Sequence, residues 1–331
     1  MSSPKRHHFV PRAYLARFGD GTQVRVRRRG GRAPYLTNPI NVAVQSGFYT
    51  TTDVDGVTST AVEDALAGLD GAGVEAMREI ARTDEPPAAG SPGREMLCWY
   101  LAVQMARTPR ARAISLFPEA VTKYAKGRTL DRAVVQEYLR REHLGFDPEA
   151  SEIDGAWAYL HGTLAMNGGE PATQTDAIRA ALGPIDRYVP YLRARHWRLE
   201  VCRKPCFLTS DAPLVLWKRP SPQDAYLGFG LADAEEIRFP LDPSRQLVLV
   251  PGTGASVQEV KLARAAQCNA DLASACEQVI VGHPQRSGWQ DRVELRQRGP
   301  VLRFNHGPVT STGGDGRDEE RSLIHLWTTR G

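Results

Sequence analysis

The hydrophobic periodicity of this sequence changes near the stretch RARHW, at residues 193–197. Between residues 61 and 195, apolar side chains recur at spacings of three to five, as in STAVEDALAGLDGAGVEAMREIAR, which is typical of amphipathic helices. Beyond it lie short β-rich runs separated by Pro, Gly or Asp: WRLEVC, CFLTSDAPLVLW, IRFPL and RQLVLVPG. The sequence therefore predicts an α+β fold, in which a helical middle region packs against a C-terminal antiparallel sheet.

This pattern divides the chain into four segments. Residues 1–60 are predicted to be an irregular, strand-bearing N-terminal segment with a double histidine and an arginine-rich hairpin, and residues 61–195 the helical region. Residues 196–305 are expected to form a mixed sheet region with one helix at about 256–277. Residues 306–331 are predicted to be a flexible tail. We expect the segments to build one compact unit.

Composition sets limits on location and partners. The 331 residues carry a formal net charge of +4, which permits an anionic partner without requiring one. The five cysteines include no C-x-x-C pair, so their spacing gives no zinc framework. The N-terminus is charged, and no apolar run approaches the roughly 18 residues of a membrane span. These features predict a cytoplasmic protein without a membrane segment.

A double histidine stands near the start, within KRHHFVPRAYLARF at residues 5–18. Five apolar residues close behind it are expected to be buried anchors, since mobile tails do not carry such residues: Phe9, Val10, Tyr14, Leu15 and Phe18. Neighbouring side chains of a strand point to opposite faces, so one histidine is expected to bind a metal or substrate while the other packs. The two imidazoles can reach one site only if the backbone turns sharply at this point. In the alternative interpretation without a function, the two histidines are polar side chains of a mobile tail.

An arginine-rich stretch follows, QVRVRRRGGR at residues 23–32, with five arginines in ten residues. Val24 and Val26 alternate with arginines and a Gly-Gly pair follows, so one interpretation is a solvated hairpin. The other is a phosphate or carboxylate contact beside the histidines, made by Arg27 and Arg29.

Two pairs of polar residues lie on predicted helices. Gln104 and Arg107 are three apart in YLAVQMARTP, and form either a core hydrogen-bonded pair or a clamp for a substrate carboxylate or phosphate. Glu63 and Asp70 are two helical turns apart and share a face. That face is either solvated or, if it turns toward the histidines, part of a His/carboxylate metal site.

Another candidate is the Ser-Asp pair in FLTSDAPLVL. Ser210 and Asp211 follow a short apolar strand and precede Ala-Pro. Asp at such a position commonly forms a turn, which is the structural interpretation. Strand ends also display catalytic carboxylates, so both residues are candidates for a site.

Five stretches, in the order HHFVPRAYL, QMARTPRAR, FLTSDAPLVL, FPLD and NADLA, resemble the bacterial domain-of-unknown-function family 4238. The resemblance extends from residue 5 to about 285 and implies little about activity. The first stretch is also similar to the metal-binding strand end of HNH, or His-Me finger, nucleases. That similarity implies His7 as a metal ligand, His8 as the general base that activates water, and Asn41 as the residue that orients the base.

These observations favour a metal-assisted phosphodiester hydrolase, nuclease-like and of a defence or toxin type, with a divalent Mg, Mn or Zn as cofactor. The predicted catalytic residues are His8, Asn41, Arg107 and Asp211. The predicted substrate-binding residues are Gln104, Arg107, Arg27, Arg29 and Ser210. The predicted metal ligands are His7 and Glu63. The expected partner is nucleic acid or a small anionic substrate.

Two alternatives stay open. The first is a small-metabolite enzyme with a His/carboxylate metal site and Arg107 as its carboxylate clamp. The second is a non-catalytic binding module, in which the same polar residues form a hydrogen-bonded core network.

Overall fold

The computed structural model describes residues 6–31, 33–53, 55–220, 230–286, 288–297, 299, 301–302, 304, 308–312 and 318–322. Its α-helices are α1 (Arg12–Leu15), α2 (Ala61–Thr83), α3 (Pro92–Ala106), α4 (Pro109–Ala113), α5 (Phe117–Ala125), α6 (Arg132–Tyr138), α7 (Ala150–Met166), α8 (Gln174–Leu182), α9 (Ile185–Arg193), α10 (Leu262–Ala275) and α11 (Gly288–Arg292). Its strands are β1 (Arg6–His8), β2 (Val24–Arg28), β3 (Tyr35–Thr37), β4 (Val44–Ser46), β5 (Thr51–Thr52), β6 (Thr58–Ser59), β7 (His196–Val201), β8 (Thr209–Ser210), β9 (Val215–Trp217), β10 (Glu236–Asp242), β11 (Arg245–Val250), β12 (Ala255–Glu259), β13 (Val279–Gly282), β14 (Pro308–Thr312) and β15 (Asp318–Ser322). Short 3₁₀ helices lie at Ala16–Phe18 and Pro39–Asn41, and a π-helix at Leu139–Leu144.

The chain divides into two compact units, each discontinuous in sequence. The first unit comprises residues 1–111, 178–219 and 229–299, and the second comprises residues 112–177, 220–228 and 300–331. The division differs from the four consecutive segments of the sequence prediction, because contacts join distant parts of the chain. No helix among the described residues is long and apolar enough to cross a membrane.

A five-stranded sheet dominates the first unit, in the order β12–β7–β11–β10–β9. Its pairs are antiparallel, except that β12 runs parallel to β7. Apolar side chains face each other across the strands: Leu247 lies beside both Phe239 and Leu199, and all three are buried. Helix α3 packs on this sheet, with the Tyr100 ring 6.0 Å from that of Phe239. The α+β prediction is confirmed here, because helices and sheet share one buried core.

Strand β12 occupies part of the segment in which the sequence predicted a helix at about 256–277. The helix α10 begins only at Leu262. Before it, Val257 lies opposite Leu199 and adds an edge strand to the sheet. The main-chain hydrogen-bonding groups at the edge of β7 thus determine the extended conformation of this polar stretch, whereas the spacing of its apolar residues does not.

A four-stranded sheet, in the order β3–β2–β13–β8, connects the N-terminal part of the chain with residues near 210 and 280. The arginine-rich stretch forms its predicted hairpin, with β2 antiparallel to β3. Val24 and Val26 are fully buried on one face, which explains their alternation with arginines. Strand β13 lies between β2 and β8, so it brings Ser210 into the same sheet as the hairpin.

The apolar residues after the double histidine are buried, as predicted. Val10, Tyr14, Leu15 and Phe18 have no exposed surface, and Phe9 is 8% exposed. They belong to the main core of the first unit. The segment is therefore anchored rather than a mobile tail.

The second unit has a helical core of its own, in which the rings of Phe117 and Phe304 are 4.5 Å apart. Helices α6 and α7 lie within residues 61–195, the region that the sequence predicted to be helical. Part of the segment predicted to be a flexible tail forms an antiparallel hairpin of β14 and β15. Residues 306–307, 313–317 and 323–331 of that prediction lie outside the described residues.

Candidate functional site

The two histidines lie on strand β1, which pairs with β4 so that His7 is opposite Gln45 and His8 opposite Val44. Because the strand is extended, the imidazoles point to opposite faces, as expected. His7 is 1% exposed, its Nδ1 accepts a hydrogen bond from the Tyr49 amide at 2.8 Å, and its ring stacks on that of Tyr49. His7 is thus part of the packed interior.

His8 is half-buried on the other face. Its Nε2 lies 3.1 Å from the Ile40 carbonyl oxygen, which only accepts, so Nε2 carries the proton and Nδ1 keeps its lone pair. Burial lowers the pKa of His8; the Ile40 hydrogen bond opposes this, and the charges of Arg6 and Arg12 lower it further. His8 is consequently a neutral imidazole at neutral pH.

The 3₁₀ turn Pro39–Asn41 supports both His8 and Arg6. Both terminal nitrogens of Arg6 donate to Asn41 Oδ1 at 3.3 Å, while the preceding carbonyl of Ile40 accepts from His8. The residue that orients the imidazole is therefore Ile40, through its main chain, and Asn41 orients Arg6 instead. We call Arg6, His8, Arg12 and Asn41 the histidine patch.

Gln104 and Arg107 form a buried chain of hydrogen bonds next to the histidines. Gln104 Nε2 donates to the Phe9 carbonyl at 3.2 Å, and its Oε1 accepts from Arg107 Nη2 at 2.7 Å and from Nε at 3.1 Å. Arg107 Nη1 contacts both Asp70 oxygens, at 2.8 and 3.0 Å. Arg107 clamps a carboxylate, as its chemistry suggested, but that carboxylate belongs to the chain itself.

With no exposed surface, Arg107 presents no donor to a substrate from outside. Gln104 is likewise fully buried. The core hydrogen-bonded pair, one of the two interpretations of this spacing, describes what these side chains do in the structure. They contact the double-histidine segment at the Phe9 carbonyl, which accepts the hydrogen bond from Gln104.

Asp211 is buried at the end of β8, where it accepts three main-chain hydrogen bonds. Its Oδ1 accepts from Glu277 N at 2.8 Å, and its Oδ2 from Gln278 N at 2.7 Å and Val279 N at 3.0 Å. Burial nevertheless raises its pKa to about 6. Ser210 Oγ accepts from the Ala212 amide at 3.1 Å, so both side chains hold the turn together.

Glu277 is a second carboxyl group in this region, and sequence reasoning missed it. Its Oε1 accepts from the Arg110 amide at 2.9 Å. Burial first, and then the neighbouring Asp211, raise the pKa of Glu277 to about 8. The stretch CEQV carries no sign of burial, because the enclosure of Glu277 depends on Arg110, which is remote in sequence.

The arginines of the hairpin donate to main-chain carbonyls. Arg29 Nη2 donates to the carbonyls of Ala273 and Cys276, at the C-terminal end of α10, where a cation is favourable. Arg27 Nη1 donates to Val293 O at 2.9 Å and to the carbonyl of Gln290. These bonds position both guanidinium groups against the protein, so the predicted phosphate contacts would have to compete with them.

The predicted metal ligands do not make a fitting donor set. His7 is buried and its Nδ1 already accepts from the Tyr49 amide, and Glu63 lies in the first turn of α2. Among the described residues, no cluster of three or more His, Cys, Asp or Glu side chains is placed to hold a metal ion. Known catalytic zinc sites use three protein ligands. The divalent metal stays a prediction, and no step below depends on it.

Buried hydrogen bonds connect the five stretches that carry the family resemblance. The Tyr14 hydroxyl donates to the Pro240 carbonyl at 2.8 Å and therefore accepts from Thr209 Oγ1 at 2.7 Å. Asn269 Oδ1 accepts from the Leu208 amide at 3.0 Å. Gln104 of QMARTPRAR donates to the Phe9 carbonyl of HHFVPRAYL, and this hydrogen bond connects the remaining stretch to the others.

Comparisons place the chain in a family without assigning it an activity. Neither the curated proteins nor the solved structures include a match. A family model described as "Protein of unknown function (DUF4238)" matches residues 6–286, which is more than half of the chain. The chain belongs to the DUF4238 family, as the order of its five stretches predicted.

Proposed function

We propose that this protein is a phosphodiester hydrolase acting on nucleic acid, with His8 as its general base. One observation carries the proposal: a neutral imidazole with an unprotonated Nδ1 lies beside two arginines. A general base must be unprotonated near neutral pH, and the lowered pKa of His8 meets that requirement. The arginines supply the positive charge that a phosphate needs.

Each group of the histidine patch has a separate role. His8 Nδ1 takes a proton from the attacking water as the water oxygen bonds to phosphorus, while the Ile40 carbonyl holds the ring in one tautomer. The P–O bond to the leaving sugar oxygen breaks, and that oxygen takes up a proton from solvent. Arg6 and Arg12 stabilise the negative charge that develops on the phosphoryl oxygens. Asn41 keeps the Arg6 guanidinium in place through the two bonds to its Oδ1.

A non-catalytic binding module is the second candidate. It is favoured by the internal partners of Arg107 and Asp211 and by the carbonyl contacts of Arg27 and Arg29. A carboxylate clamp at Arg107, required for the small-metabolite enzyme, is occupied by Asp70. The exposed arginines of the histidine patch would then bind an anion without transforming it.

Cleavage of single- and double-stranded RNA and DNA by the wild type and by His8→Ala tests the proposal. Both proteins are assayed in EDTA and with Mg²⁺, Mn²⁺ or Zn²⁺. His8→Ala is expected to lower kcat by about 10²–10⁴-fold with little change in melting temperature, since His8 is only half-buried. Arg12→Ala is expected to raise KM, with a smaller effect at high salt, because a lost phosphate contact makes binding less dependent on salt.

The acid limb of the pH profile should have its midpoint below 6.5, the ordinary pKa of histidine. His161→Ala is the matched control, because His161 is an exposed histidine of the second unit. His7→Ala should instead lower the melting temperature, because the ring packs on Tyr49. A wild type that cuts none of the substrates under any metal condition would remove the hydrolase proposal, and binding without cleavage would favour the binding module.

A further inference from the structure

A cavity of about 450 Å³ lies in the first unit, where the loop after β7 meets the segment containing α11. This volume is within the range of small-molecule sites, roughly 300–1,000 Å³. Its lining residues are Lys204, Pro205, Arg286, Gly288, Trp289 and Arg292. None of these six belongs to the histidine patch. We call this cavity the tryptophan pocket.

Three of the six lining residues are cations, and none of the six is acidic. Several arginines elsewhere in the first unit have acidic partners within the chain, as Arg203 does with Glu259 at 2.7 Å. By contrast, no ion pair involves Lys204, Arg286 or Arg292 within the described part of the chain. The pocket therefore concentrates positive charge without a counter-charge from the described residues, and an anion would complete it.

Trp289 gives the pocket an apolar wall. Its half-buried indole packs against two buried apolar clusters, one around Leu272 and one around Phe207. The Arg292 guanidinium carbon lies 5.2 Å from the ring centroid, so the indole positions this cation. Pro205 adds a second rigid apolar surface. Such walls favour a ligand with a flat or apolar body as well as an anionic group.

Hydrogen bonds hold both walls of the pocket. On one side, Cys206 N donates to the Pro243 carbonyl at 2.6 Å, and Asn269 Nδ2 donates to the Cys206 carbonyl at 2.8 Å. On the other side, the buried Gln290 next to Trp289 donates to the Arg25 carbonyl at 2.7 Å. These hydrogen bonds belong to the fold itself, so the walls need little ordering when a ligand binds, and less entropy is lost.

We propose that the tryptophan pocket binds a nucleoside monophosphate. The phosphate lies among Lys204, Arg286 and Arg292, and the base lies against Trp289 and Pro205. Charge alone would accept inorganic phosphate, whereas the indole and proline surfaces favour a planar group attached to it. The site uses no atom of the histidine patch, so it stands whether or not the protein hydrolyses phosphodiesters.

Isothermal titration calorimetry of the full chain with AMP, adenosine and inorganic phosphate tests this site. AMP is expected to bind with a Kd of about 1 mM or lower, and adenosine and phosphate each at least about tenfold more weakly. Arg286→Ala should weaken AMP binding about tenfold, because it removes a charged donor from an exposed position that folding does not need. Higher salt should weaken it further.

Two variants serve as controls. Arg203→Ala removes a neighbouring exposed cation that is paired with Glu259 outside the pocket, and His8→Ala removes the proposed general base. Both are expected to bind AMP like the wild type. The proposal is overturned if AMP at about 5 mM, several times the expected Kd, gives no binding heat. It is equally overturned if Arg286→Ala binds AMP as tightly as the wild type, or if phosphate binds as tightly as AMP.

Discussion

Replacement of Glu277 by glutamine is expected to stabilise the protein at neutral pH. The carboxyl is enclosed beside Asp211, and its pKa is raised to about 8, above the ordinary value of 4.5, chiefly by burial. The side chain of the Glu277→Gln variant keeps an oxygen that can accept from the Arg110 amide. The Thr108 hydroxyl, which hydrogen-bonds to Glu277, can accept from the new amide group. The variant therefore retains the contacts and removes only the ionisation.

The size and sign of the effect follow from proton binding. The folded protein holds the Glu277 proton up to about pH 8, while the unfolded chain releases it above about 4.5. The free energy of unfolding therefore falls as the pH rises through that interval. At pH 7, about 2.5 pH units above the unfolded pKa, the loss is about 3 kcal/mol at roughly 1.4 kcal/mol per unit. Asp211, with its pKa raised to about 6, acts in the same direction at lower pH.

Urea denaturation at pH 5, 6, 7 and 8 measures this loss. The stability difference between Glu277→Gln and the wild type is expected to be small at pH 5 and to grow by about 2–3 kcal/mol by pH 7. Glu75→Gln is the control, since Glu75 is 71% exposed in its pair with Arg78 and should show little dependence on pH. A difference between Glu277→Gln and the wild type that stays constant from pH 5 to pH 8 would refute the reasoning.

Two further predictions concern the helices beside the histidines. Arg107→Met should lower the free energy of unfolding by about 3 kcal/mol in urea melts, because it leaves Asp70 without its buried partner; a change below about 1 kcal/mol would contradict a structural role. Gly73→Ala should destabilise by about 1–3 kcal/mol in the same melts, since its Cβ would lie 2.3 Å from a Tyr100 ring carbon. Gly68→Ala, on the same helix with no described atom within 4 Å of its Cβ, should stabilise by about 0.5–1 kcal/mol.

Local patterns were enough to predict much of the fold. The apolar stripe of α2 is buried at Leu66, Val74, Met77 and Ile80, as the spacing of its apolar residues indicated. The β-rich runs after residue 195 became β7 to β11. These elements were predictable because one buried face imposes its period on the sequence. Strand β12 was not, because its conformation depends on the free edge of another strand.

The site was less predictable than the fold, because a polar residue in a sequence does not reveal its partner. Arg107 lies 37 positions from Asp70, and Arg29 lies 244 positions from the carbonyl of Ala273. The spacing of Gln104 and Arg107 did indicate a shared helical face, and they are bonded on it. Whether such a group faces a ligand or another part of the protein is decided by tertiary packing, which the local pattern does not contain.

The first family motif, HHFVPRAYL, contains both a buried structural residue, Tyr14, and two residues of the histidine patch, His8 and Arg12. Tyr14, Gln104 and Asn269, from three of the motifs, are buried and bond to other segments of the chain. Substitutions there act first on folding, because they leave a buried partner unsatisfied. The cations of the histidine patch and of the tryptophan pocket lie at the surface, so their loss leaves the fold intact. If a substitution of Arg12 or Arg286 abolishes cleavage or binding at an unchanged melting temperature, the loss can be assigned to the proposed site. A loss caused by substituting Tyr14, Gln104 or Asn269 cannot be assigned in this way, because such a substitution also affects folding.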